Sequence, residues 1–330
     1  MTGILLSKGF VAEFGERLND IACSAGQTPA IVHLPDDPEA RLPAADCARI
    51  EITFLSRDIR HSPYYKSYSD ALLAAGNLKW LHAASSAIDQ HPWIPALVAR
   101  GVKLTGSPGN NGEPVAQTAI GGLLMLARGF PHWQDAQRRH AWEPVRGDAM
   151  PADLRGQTIV VVGVGAIGMP IARFCHALGM HVIGIRRSPK RADEPLDEIY
   201  RLSEFAAVLP RCQWLVLACP YSRKNHHMLN AGTLARLPRG AGLINVARGA
   251  LVDEPALIAA LQNGHVGCAY LDVFEKEPLP AESPLWELQN VIVTPHNATA
   301  SDGNDRRSAE MFLANLERWT RGEPLRNEQR

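Results

Sequence analysis

The chain reads as two α/β domains, each an open, doubly wound sheet of mostly parallel strands. Three observations predict this. Its 330 residues are enough for about two domains with buried cores. Short apolar runs alternate with helical stretches through the first hundred residues and again in the second half, as they do in a parallel sheet with crossover helices. The stretch Gln157–Arg187 fits a strand, a glycine turn, a helix and a second strand into about thirty residues, the context in which G-x-G-x-x-G binds a dinucleotide.

In the first domain the strands are expected at Ile4–Leu6, Ala30–Leu34, Ile50–Leu55, Leu78–His82 and Val102–Thr105. Val11–Ala22 and Ser69–Ala75 have helical spacing, and Pro35–Pro43 is a proline-rich loop. The turn Ala83–Asp89, directly after a strand, is made of small residues that let backbone N–H groups face an anion. A plain strand-to-helix connection is the competing reading of that turn.

Thr105–Pro114 is dense in Gly, Pro and Asn and reads as a linker. Val115–Arg128 follows as a small-residue helix with Gly121 and Gly122 at its centre. Adjacent glycines cost a helix stability unless something packs closely on them. A subunit or domain interface accounts for them, and so does a close contact inside the domain. Trp133 and Trp142 read as packing residues.

In the glycine turn, Gly163 permits the tight bend, Gly165 lets a pyrophosphate approach the backbone, and Gly168 lets helix and strand pack closely. The helix N-terminus, beginning with Ala166 and Ile167, supplies N–H groups and a positive dipole end for the phosphates. An NAD site needs an acid about twenty residues beyond the glycines for the ribose 2′-OH. Here the second strand ends in Arg186, Arg187 and Ser188. Two guanidinium groups and a hydroxyl suit a 2′-phosphate, so NADP(H) is the expected cofactor, with NAD(H) as the second choice.

Trp214–Ala218, Leu243–Val246, Ala269–Val273 and Val291–Thr294 are further strands, and Asp302–Arg321 is a closing helix. Ligands in open α/β sheets bind outside the carboxyl ends of strands. Arg248, Glu277 and His296 all stand just beyond such ends.

Composition excludes several classes. The 34 basic and 34 acidic residues cancel, leaving no field for nucleic acid or an anionic membrane. The apolar run in the first ten residues is too short for a secretory signal, and Val115–Ala127 is too short to span a bilayer. The six cysteines form no C-x-x-C pair and no zinc-like cluster; they read as reduced thiols of a cytoplasmic protein with no metal site.

Long segments of the second half resemble the D-isomer-specific 2-hydroxyacid dehydrogenases. They are Leu154–Thr158 entering the glycine turn, Ala218-Cys219-Pro220, Ile244–Leu261, Leu271–Pro280 and Pro284–Ala298. In the first hundred residues the likeness rests on layout and the Ser85–Asp89 turn. The resemblance implies two Rossmann-like or flavodoxin-like domains with the active site in a cleft between them. It makes 1–105 with 299–330 the substrate-binding domain and 106–298 the dinucleotide-binding domain, and it implies a homodimer joined mainly through the latter.

By resemblance His296 is the acid–base, Glu277 its hydrogen-bonding carboxylate, and Arg248 the clamp on the substrate's carboxylate and keto oxygen. Asp272 meets the nicotinamide carboxamide, and Cys219, Pro220, Asn225, Val246, Ala247, His296 and Ala298 line the cofactor. The Ser85, Ser86 and Ala87 amides receive the substrate carboxylate. The chemistry agrees: a cation stabilises negative charge growing on a carbonyl oxygen, and a histidine delivers a proton near neutral pH. Four residues depart from the family pattern: Arg186 replaces the usual acid, Gln117 stands for a common glutamate, and Ser222 and Asn225 stand for threonines.

The expected activity is NADPH-dependent reduction of a small 2-oxo acid such as glyoxylate or hydroxypyruvate. A nonenzymatic dinucleotide-sensing corepressor and a formate or phosphite dehydrogenase on the same fold are the alternatives.

Overall fold

The computed structural model describes residues 3–24, 26, 28–85, 88 and 91–329. They form two compact units, Met1–Asn110 with Ser301–Arg330, and Asn111–Ala300.

The first unit holds strands β1 (Gly3–Leu5), β2 (Ala30–Val32), β3 (Ile50–Leu55), β4 (Trp80–Ala83) and β5 (Lys103–Gly106). They lie in the order β5-β4-β3-β1-β2 and pair in parallel, the flavodoxin-like arrangement. Helices Lys8–Ser24 and Gly303–Thr320 cover one face, where Phe54 and Phe312 stack 5.0 Å apart beside Trp80. Tyr68, Leu72 and Leu97 fill the other face. Both faces are covered, so the strands read as near-continuous apolar runs. The exception is a buried polar chain. Thr105 Oγ1 accepts from Trp80 Nε1 at 2.8 Å and meets His82 Nδ1 at 2.7 Å, while His82 Nε2 meets Ser107 Oγ at 2.9 Å. The Ser107 hydroxyl donates to Ala83 O. Its single proton being spent there, His82 donates from Nε2 and accepts from Thr105 at Nδ1.

The second unit holds β6 (Thr158–Val162), β7 (His181–Ile185), β8 (Glu198–Tyr200), β9 (Trp214–Leu217), β10 (Ala241–Asn245), β11 (Val266–Leu271) and β12 (Val291–Val293). Their order is β12-β11-β10-β9-β6-β7-β8, all parallel. This is the dinucleotide-binding winding, with the order reversing at β6. Helices Gly112–Ala127 and Gly168–Ala177 pack on one face and Glu254–Gln262 on the other.

Several expectations shift. β8 was not foreseen, because a three-residue, half-buried edge strand carries no apolar alternation. The C-terminal strand Glu328–Gln329 was not foreseen either; it pairs antiparallel with β5, which the returning helix brings within reach. β11 starts at Val266 rather than Ala269, its glycine at 267 lying against the Gly240 carbonyl. The linker Thr105–Pro114 is partly regular: Gly106 ends β5 and Pro114 sits in the first turn of helix Gly112–Ala127, where a missing N–H costs nothing. The paired glycines of that helix are explained inside the unit. A Cβ on Gly122 would lie 2.4 Å from Tyr270 Cγ, while Gly121 faces open space. Trp142, read as a packing residue, is instead 95% exposed, and Trp133 is half-exposed beside Phe130.

Candidate active site

The glycine turn follows β6. Gly163 has φ +92, and a Cβ there would strike Cys219 at 2.5 Å; a Cβ on Gly168 would strike the Gly163 carbonyl at 2.1 Å. Gly165 meets nothing within 4 Å. Two of the glycines are therefore demanded by packing, and the third leaves room beside the backbone. Helix Gly168–Ala177 has no side-chain cap at its N-terminus, so its first amides, with Ala166 and Ile167 beside them, suit an incoming anion. These features fit a dinucleotide pyrophosphate.

Beyond β7 the basic loop folds on itself. Arg186 donates from Nη1 to Glu194 Oε1 at 2.8 Å, from Nη2 to Glu194 Oε2 and Pro189 O at 2.5 Å each, and from Nε to Ser188 O at 3.0 Å. Four of its five N–H groups are spent, so Arg186 is not the open phosphate fork that its place in the sequence suggests. Glu194, eight residues on, is brought to the strand end by folding, but Arg186 takes both its oxygens, so it is not open to a ribose. Its side chain is 3% exposed, and it also accepts from the Arg191 amide at 3.0 Å. The Arg186 hydrogen bonds, then that amide, hold its carboxyl down at about 2. Arg187 and Ser188 remain exposed.

After β9, Asn225 is buried. Its Oδ1 accepts from Ser222 N at 2.6 Å and its Nδ2 donates to Pro220 O at 2.9 Å. These bonds close the Pro220–Asn225 loop, so the Asn225 amide is turned inward rather than presented to a ligand. Val246, Ala247 and Ala298 have buried side chains and can offer a ligand only backbone.

Arg248, Glu277 and His296 follow β10, β11 and β12, three adjacent strands. A Cβ on Gly249 would lie 1.9 Å from the Phe274 carbonyl carbon, so glycine lets the Arg248 turn rest on the Phe274–Glu277 segment. Glu277 Oε1 accepts from Phe274 N at 3.0 Å and Oε2 lies 2.7 Å from His296 Nδ1. Burial alone pushes the Glu277 carboxyl up. The His296 and Phe274 hydrogen bonds and the charges of His296 and Arg248 outweigh it and hold the group below its usual value. A carboxylate only accepts, so the His296 Nδ1 carries the proton and Nε2 is left for a reacting group. Arg248 gives one N–H to Ala247 O at 2.6 Å and is otherwise exposed. His296 has φ +50, a conformation that histidine tolerates better than most residues.

Asp272, 2% exposed, is the hub of the His296 turn. Its Oδ1 accepts from Thr294 Oγ1 at 2.6 Å and from Asn297 N at 2.9 Å, and Ala298 N reaches both oxygens at 3.1 Å. Asn245, whose Oδ1 accepts from Ala247 N and whose Nδ2 donates to Arg248 O, and Thr294, Tyr270 and Glu194 were missed in the sequence; Asn245 and Thr294, polar residues at the ends of apolar strands, offered a signal there.

In the first unit Ser85 Oγ is buried with no hydrogen-bond partner among the described residues. Ser86 and Ala87, the other expected substrate amides, lie outside the described residues. Among the described residues no group of three or more His, Cys, Asp and Glu could hold a metal ion, and no helix is long and apolar enough to cross a membrane.

The winding and the glycine turn are those of a dinucleotide-binding domain. Residues 120–298 match the family model described as D-isomer specific 2-hydroxyacid dehydrogenase, NAD binding domain. The chain belongs to the D-isomer-specific 2-hydroxyacid dehydrogenase family. It is 34% identical over 249 residues to glyoxylate/hydroxypyruvate reductase B of Yersinia pestis, covering 75% of this chain and 76% of that one. It is 31% identical over 287 residues to the D-3-phosphoglycerate dehydrogenase of Archaeoglobus fulgidus, covering 83% of this chain but only 54% of that longer protein. Among solved structures, a D-isomer specific 2-hydroxyacid dehydrogenase from Xanthobacter autotrophicus Py2, in complex with NADPH and MES, superposes with TM-score 0.69 at 30% identity, covering 100% of this chain and 98% of that one.

Proposed function

We propose that the protein reduces a small 2-oxo acid to the D-2-hydroxy acid with NADPH, and runs the reverse reaction when product is abundant. The observation that carries this is the 2.7 Å contact between His296 Nδ1 and Glu277 Oε2, with Arg248 close enough to lower the Glu277 carboxyl. The nicotinamide, when bound, supplies the hydride. Arg248 holds the substrate carboxylate and the carbonyl oxygen on which charge grows. His296, oriented through Nδ1 by Glu277, gives its Nε2 proton to that oxygen. Oxidation reverses the transfer, with neutral His296 accepting the hydroxyl proton.

Glyoxylate and hydroxypyruvate are the substrates to try first, supported by the name of the Yersinia relative. Preference for NADPH rests on the exposed Arg187 and Ser188 at a strand end without an acid of its own. We place the protein in the cytoplasm, in keeping with its unpaired cysteines. A homodimer formed through the second unit is in keeping with its exposed Phe130, Trp133 and Trp142. The test is NADPH oxidation against a panel of 2-oxo acids, with NADH in parallel. Tight nucleotide binding without turnover of any of them would remove the reductase reading.

A further inference from the structure

We propose that Thr294 is a positioning residue of the active site: its hydroxyl, fed by Tyr270, orients the Asp272 carboxylate that holds the His296 turn in its working shape. This rests on the reading of His296 as the acid–base. Asp272 grips that turn at four points. Its carbonyl accepts from His296 N at 2.8 Å, and its carboxylate accepts from Asn297 N, Ala298 N and the Thr294 hydroxyl. Among the carboxylate's donors named here, only Thr294 contributes a side chain, and its contact is the shortest at 2.6 Å.

The protons in the chain have one arrangement. An ionised carboxylate only accepts, so the single Thr294 proton goes to Asp272, and Tyr270 must donate its own proton to Thr294 Oγ1 across 2.7 Å. Burial keeps the Tyr270 phenol protonated. Tyr270 is itself fixed, because its ring lies flush under Gly122 of helix Gly112–Ala127. A rigid helix thus sets a ring, the ring sets a hydroxyl, and the hydroxyl sets the carboxylate under a turn that holds His296 at φ +50. A turn in the left-handed region needs such external fixation to persist. Loosening it lets the His296 ring drift from Glu277 and from the substrate oxygen.

Four variants test this, with kcat, KM, the pH profile of kcat/KM and Tm read for each. Thr294→Val keeps the shape and removes the hydroxyl. The expected result is a kcat lowered about tenfold, the size of one charged hydrogen bond, with substrate KM little changed. The histidine limb of the pH profile should also move to lower pH as the Glu277 contact weakens. Thr294→Ser should restore both. Tyr270→Phe keeps the ring against Gly122 and should shift kcat and the profile in the same direction by less, so the inference stays testable if the valine variant folds poorly. His296→Gln separates the two readings. If it stays active, the acid–base reading fails. If it is inactive while Thr294→Val keeps wild-type kcat and pH profile and merely melts earlier, Thr294 is only structural and the inference is overturned.

Discussion

Arg186 and Glu194 are joined at two points, Nη1 to Oε1 at 2.8 Å and Nη2 to Oε2 at 2.5 Å, with the carboxylate nearly buried beneath the basic loop after β7. The pair divides labour among the basic residues. Arg186 braces the loop and Arg187 faces solvent. Arg187→Ala is therefore expected to raise the NADPH KM about tenfold, the worth of one charge-assisted hydrogen bond, and to leave the NADH KM unchanged. Glu194→Gln should loosen the whole loop and raise both KM values. Equal KM changes for both cofactors in Arg187→Ala would count against its assignment to the 2′-phosphate.

His296→Gln is expected to lower kcat by about two to four orders of magnitude, the usual contribution of a positioned acid–base. Glu277→Gln should lower kcat less and move the histidine limb of the pH profile to lower pH, because the carboxylate that favours the imidazolium is gone. Glu277 is held below its usual carboxyl value, so in the native protein it stays ionised throughout the range in which a histidine titrates. A profile that did not move would dissociate Glu277 from the proton transfer.

The glycine pair in helix Gly112–Ala127 offers a contrast within one turn. Gly122→Ala would put a Cβ 2.4 Å from Tyr270 Cγ and should cost about 1–3 kcal/mol, as overpacking does. Gly121→Ala meets nothing within 4 Å and should stabilise by about 0.5–1 kcal/mol through helix propensity. Urea denaturation of the two variants checks both signs.

His82 gives the first unit an acid-sensitive core. Burial lowers its pKa from 6.5 to about 3, so the folded protein keeps it neutral while an unfolded chain takes up a proton below about pH 6.5. The unfolded state then binds more protons, and stability falls as pH drops from about 6.5 toward 3. By pH 5 this amounts to about 2 kcal/mol. His82→Gln should flatten that part of the stability curve, even if it lowers stability at neutral pH. An unchanged slope between pH 7 and pH 5 would show that other groups carry the acid sensitivity.

Much of the fold was legible in the chain because parallel strands buried on both faces must be apolar along their whole length. Thr158–Val162, His181–Ile185 and Ile50–Leu55 were bounded correctly for that reason. β8 and the final strand were not, because both are short, half-solvated edge strands, and the final one owes its pairing to β5, more than two hundred residues earlier. The glycine turn was legible because two of its demands are local: Gly163 holds a positive φ, and Gly168 packs on the Gly163 carbonyl.

The family, the winding of both sheets and the dinucleotide turn were determined by the sequence alone, since they follow from local periodicity and from ordered motifs. What Arg186 is free to do, why Gly122 must be glycine, and how the His296 turn is held were decided only by tertiary structure. Glu194 meets Arg186 across a loop, Tyr270 meets Gly122 between a strand and a helix, and Asp272 meets Ala298 across 26 positions. A hydrogen bond or a steric contact depends on distance in space, and the chain sets that distance only after every strand between has found its neighbour.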